Sequence, residues 1–146
     1  MSDVFYHEIE QKKRSLKRYR KNLACIDRLE ERLRNLNDRI QGVRSSSPSG
    51  LPRGGVPVTT ADLIADKADL EKRIERLKAK SRNLKSAVYE EIDSLDDPRY
   101  CEVLESHFID GLTLEAIAED MGYTERHIYT LYKEAINLLV VTSISS

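Results

Sequence analysis

The chain reads as an all-α protein, a long antiparallel two-helix, coiled-coil-like hairpin followed by a C-terminal helix-turn-helix domain. Three observations predict this. Glycine and proline are missing from residues 1–41 and from 58–97, whereas seven of them crowd residues 42–57. Both residue types break helices, so their distribution marks two helical segments and a linker. Apolar residues inside those segments recur at steps of three and four, the period of one helix face. From Asp96 onward the pattern changes to short helices with cap residues and glycine stops.

The first segment carries a seam through Leu16, Tyr19, Leu23, Ile26, Leu29, Leu33, Leu36, Ile40 and Val43. From Ile26 it alternates three and four, a coiled-coil rhythm, with an irregular step at Ile26–Leu29. A second seam runs through Leu63, Lys67, Leu70, Ile74, Leu77, Ser81, Leu84, Val88, Ile92 and Leu95, weakened by Lys67 and Ser81. Thr59 or Thr60 is the expected N-cap, with Asp62 suited to the positive helix end. At 1.5 Å per residue the helices span about 60 Å and about 50 Å. The connection, residues 44–59, is longer than helical bundles use and reads as a flexible linker. Residues 1–95 thus form one region, and residues 96–146 a second. Two helices bury only a narrow strip each, so a homo-oligomer through the N-terminal helices is expected.

In the second region Asp97-Pro98 starts a helix, because Asp caps and Pro tolerates the first helical position. Asp110-Gly111 ends it. Thr113 caps a short helix, 114–120, and Met121-Gly122-Tyr123 makes a tight turn. Thr124 caps a last helix, from Glu125 to about Val141. The internal spacing fits a helix-turn-helix. Ala118 is the small residue where the helices cross, Gly122 follows four later at the turn, and Ile128, six further, plugs the last helix into the core. Ile117, Met121, Tyr123 and Leu131 fill the other core positions.

The stretch from Tyr100 through Ala118, then Met121-Gly122-Tyr123-Thr124, Ile128-Tyr129 and Lys133-Glu134-Ala135-Ile136, resembles the sigma-70-type region 4 helix-turn-helix. The resemblance covers roughly the last 45 residues, with no other sigma region visible. A long helical front end before such a domain is similar to small transcription regulators of Gram-positive phages, of the late-gene activator type. The resemblance implies sequence-specific binding of double-stranded DNA upstream of phage operons, and allows RNA polymerase as a partner.

Helix-turn-helix geometry puts the N-terminal part of the last helix in the major groove. Thr124, Glu125, Arg126 and His127 would face base edges, then Tyr129, Thr130 and Lys133, while Ile128, Leu131 and Tyr132 face inward. Arg126 suits guanine, and Glu125 suits cytosine. Thr124 combines cap and phosphate contact. His127 and Tyr129 are each divided between a DNA contact and a solvated surface position. Lys133 meets backbone rather than base.

Charge complicates this. The net charge is −1, but residues 1–44 hold 12 basic and 7 acidic groups, and residues 96–146 hold 3 and 10. The DNA reader is therefore the acidic part, although phosphate neutralisation supplies most non-specific affinity. The basic stretch Lys12-Lys13-Arg14, Lys17-Arg18, Arg20-Lys21 is foremost a solvated helix face, with phosphate contact as the alternative. The rival function is a coiled-coil adaptor whose acidic C-terminal domain binds a protein such as RNA polymerase.

Other classes fall away. Charged residues are 34% and hydrophobic ones 40%, with no Trp and two Phe, which argues against a large enzyme core. No enzyme, cofactor or metal site is expected. Cys25 and Cys101 have no ligand or disulfide spacing, and His7, His107 and His127 have no nucleophile or metal partner at useful spacing. The apolar run Leu138-Leu139-Val140-Val141 is far below the roughly 20 residues of a membrane span. The N-terminus lacks a signal-peptide pattern, so the expected setting is cytoplasmic, without a membrane partner.

Overall fold

A computed structural model describes residues 2–45 and 59–140. They form five helices, α1 (Ser2–Ser45), α2 (Thr60–Asp93), α3 (Pro98–Phe108), α4 (Leu114–Met121) and α5 (Glu125–Leu138), and no strand among the described residues. The linker at 44–59 lies, apart from its ends, outside the described residues. By compactness the chain falls into two units, Leu23–Lys80 and a second made from Met1–Asn22 with Ser81–Ser146.

The Leu23–Lys80 unit holds only the middle of the two seams expected from periodicity, while Leu16, Tyr19, Val88, Ile92 and Leu95 belong to the other unit. Ile26, Leu29, Leu36 and Ile40 of α1 are buried with Leu63, Leu70 and Ile74 of α2, and Leu23, Cys25, Leu33 and Leu77 pack at the edges. The helices run antiparallel: Glu30 pairs with Lys78 at 3.4 Å, while Leu36 and Arg39 share a shallow groove with Asp66 and Leu70. Thr59 caps α2, accepting from the Asp62 amide at 3.1 Å while Asp62 accepts from the Thr59 amide at 3.4 Å. This reciprocal pair satisfies two orphan donors. Val43 departs from the seam and remains exposed.

The other unit has a deeper core. Val103, Leu104 and Phe108 of α3, Ile117 and Ala118 of α4, and Ile128, Leu131, Tyr132, Ala135 and Ile136 of α5 bury one another. Leu16 of α1 and Val88 and Ile92 of α2 enter the same cluster, with Ile9, Tyr19 and Tyr89 at its edge. The three short helices are therefore completed by the adjoining end of α2 and by α1, which lies far away in sequence.

Polar groups fix this packing. Lys12 Nζ donates to the Asn137 carbonyl at 2.9 Å, and Arg20 reaches the Ile109 carbonyl at 3.5 Å. Both carbonyls lie at helix C-terminal ends, where unpaired C=O groups favour a cation. Glu91 is buried, its Oε1 accepting from Ser15 Oγ at 2.8 Å and from Arg18 at 3.0 Å, while its Oε2 has no hydrogen-bond partner. Burial pushes its carboxyl above the usual range, with the Ser15 hydrogen bond and the Arg18 charge pulling the other way.

Candidate nucleic-acid interface

The local sequence explains how α4 and α5 are joined. Asp97 caps α3 by accepting from the Arg99 amide at 2.9 Å, with Pro98 next in the chain. After α3, Gly111 takes φ +76, and His107 Nδ1 lies 2.7 Å from the Leu112 carbonyl. Thr113 then caps α4 through the Ala116 amide at 3.1 Å. His107 also packs edge-on against Phe108 and Tyr132. It thus holds the turn ahead of the site.

The second turn is tighter. Gly122 takes φ +72, the Tyr123 amide donates to the Ala118 carbonyl at 2.9 Å, and the Gly122 amide to Glu119 at 3.4 Å. This is a Schellman ending, which closes α4 and frees the chain to start again at once. Thr124 accepts from the His127 amide at 3.1 Å and starts α5. Only residues 122–124 separate the two helices, so α5 has little freedom relative to α4.

The expected reading residues lie on the solvent side. Thr124, Glu125, Arg126, His127, Tyr129, Thr130 and Lys133 are all exposed, and Ile128, Leu131 and Tyr132 are buried. Several are already ordered by neighbours. His127 packs edge-on against Tyr123, and Lys133 lies over the Tyr129 ring at 5.4 Å. Thr130 donates its hydroxyl to the Arg126 carbonyl at 3.0 Å, leaving its oxygen as an acceptor only. The Arg126 guanidinium makes no hydrogen bond or ion pair among the described residues.

Of the expected core set, Ile117, Ala118, Ile128 and Leu131 are buried, Met121 is half-buried, and Gly122 holds the turn. Tyr123 requires a correction: it is 37% exposed. Its ring lies edge-on against the exposed His127 rather than in the buried cluster. The last helix also ends earlier than expected. It stops at Leu138, and Leu139 turns to extended backbone with its side chain 2% exposed in the core.

The sequence reading also missed a neighbour of α5. Phe5, Tyr6, Ile9, Glu10 and Lys13 of α1 line a groove of about 660 Å³ together with Leu114, Tyr129, Tyr132 and Lys133. The signal was present: Phe5 and Ile9 extend the apolar period of α1 upstream of Leu16. Among the described residues there is no His/Cys/Asp/Glu cluster able to hold a metal, and no helix long and apolar enough to cross a membrane. Cys25 and Cys101 are free thiols.

Residues 53–140 match the family described as "Protein of unknown function (DUF1492)". The chain belongs to the DUF1492 family. The DUF1492 match takes in α2 through α5 and leaves α1 outside it. No curated protein and no solved structure matches the chain.

Proposed function

We propose that the chain is a sequence-specific DNA-binding transcription regulator that reads the major groove with α5. One observation carries the reading. A capped helix N-terminus sits on a three-residue turn and presents Arg126, Glu125 and His127 outward, with the Arg126 guanidinium engaged by nothing among the described residues. The likeness of this segment to sigma region 4 supports it, and with the long helical front end favours a phage or prophage regulator acting in the cytoplasm. The narrow seam of the Leu23–Lys80 unit supports assembly as a homo-oligomer, since a two-helix layer leaves its outer surfaces uncovered. A multimer mass by light scattering at micromolar concentration is expected, and a monomer mass overturns that part.

The excess of acid in residues 96–146 favours a second reading, the adaptor whose acidic domain meets a basic protein surface such as one on RNA polymerase. Selection of the full chain against random duplex DNA, at low and moderate salt, separates the two. Enrichment of one sequence supports the regulator. Absence of binding even at low salt supports the adaptor.

A further inference from the structure

The fold addresses the shortage of positive charge on the helix-turn-helix through α1. Residues 1–22 contain seven Lys and Arg. Lys12, Arg18 and Arg20 hold the fold together, through the Asn137 carbonyl, Glu91 and the Ile109 carbonyl. Among the other four, Lys13, Lys17 and Lys21 recur at steps of four, which places them in one row along a single flank of the helix.

Lys13 fixes where that flank lies. It lines the groove shared with Tyr129 and Lys133, two of the outward residues of α5. Leu16 points into the core, completely buried, so the row runs beside the domain rather than under it. Lys17 and Lys21 are exposed and make no hydrogen bond or ion pair among the described residues. Lys13 has only a loose, exposed pairing with Glu10 at 3.8 Å, of the kind worth little in water. Glu134, the other carboxylate of the groove, accepts from the Tyr100 hydroxyl at 2.7 Å.

We propose that the row Lys13, Lys17 and Lys21 contacts the phosphate backbone of duplex DNA whose major groove α5 enters. The inference rests on the DNA-binding reading of α5 and adds to it a positioning surface that carries no sequence preference. It assigns the basic stretch of α1 to the same face as the reading helix, and explains how an acidic domain holds a polyanion.

The test uses the full chain and the salt dependence of binding to a random-sequence duplex. Each phosphate contact contributes about 0.9 to the slope of log K against log salt. The triple variant Lys13→Gln, Lys17→Gln, Lys21→Gln is expected to flatten the slope by about 2–3, and Lys→Arg at the same positions to restore it. A matched control removes Lys72, Arg76 and Lys80, exposed residues at the same four-residue spacing on α2. It is expected to leave the slope unchanged. An unchanged slope in the row variant overturns the inference, as does equal flattening in the control, which would reduce the effect to total charge. If the row variant keeps its slope while Arg126→Ala loses sequence preference, the reading of α5 stands and this inference alone fails. If the unmodified chain binds no duplex at low salt, both fail.

Discussion

The two units are built from the same two helices but solve different problems. In Leu23–Lys80, among the described residues, α1 and α2 have only each other, and their buried residues form a single strip. In the other unit the ends of those helices meet three short helices, and the apolar cluster closes around Leu16, Phe108, Ile128 and Ile136. Cations at helix ends and a buried carboxylate are added to that core. The contrast teaches that hydrophobic period alone makes a helix pair, whereas a site that must hold a side chain in position needs convergence from several directions. It also means that α1 is part of the helix-turn-helix domain rather than only a handle attached to it.

The largest effect expected is at Leu16. Replacing it with Ala opens a cavity in a fully closed core and should cost about 2–5 kcal/mol, whereas Leu36→Ala, in the narrow strip where it stays 9% exposed, should cost near the lower end of that range. Chemical denaturation of both variants checks the order, and the reverse order would break the comparison.

The turns come next. Gly122→Ala meets open space but keeps a left-handed backbone, for about 1–2 kcal/mol. Gly111→Ala carries the same backbone cost, and its new Cβ would also meet the Arg20 guanidinium, displacing a contact that docks α1. Gly111→Ala should therefore lower the thermal midpoint further than Gly122→Ala. Equal shifts would show that the Arg20 contact adds nothing.

Glu91 gives a pH test. Its folded carboxyl is raised, chiefly by burial, so the folded state binds a proton more readily than the unfolded chain. Stability from this group is present at low pH and is lost as pH rises through the folded value. As pH falls from neutral toward the ordinary carboxylate range, the unmodified chain should gain stability relative to Glu91→Gln. A relative loss would mean that the Arg18 pairing outweighs burial.

The smallest effects are at the caps. Thr124→Ala and Thr113→Ala should each cost about 1 kcal/mol. Thr124→Ala should in addition weaken DNA binding, because it alone loosens the first turn of α5. Equal DNA affinity in the two variants would detach the cap from the interface.

Much of the architecture was legible because it is local. Helix period, the Asp97-Pro98 start, the Thr113 and Thr124 caps and the Gly122 stop all act within a few residues, so residue order specifies them. What escaped is non-local. Nothing near Lys12 in sequence marks it as a partner for Asn137, and Ser15 gives no sign of Glu91, since each pairing exists only after the helices dock. Tyr123 was misplaced for a related reason. An aromatic beside a turn reads as core, but its ring packs on His127, a neighbour that only the folded turn brings to it. The outward residues of α5 proposed to read DNA were placed by helical period alone; the groove wall contributed by Tyr6 and Lys13 needed the fold.

Arg126 offers the sharpest test of the proposal that α5 reads DNA. The duplex selected by the full chain would be titrated with the unmodified protein and with Arg126→Ala, which leaves the buried face of α5 untouched. The account predicts that Arg126→Ala weakens binding to that duplex by about 1–3 kcal/mol and relaxes preference at one base pair. Unchanged affinity and unchanged preference would contradict it.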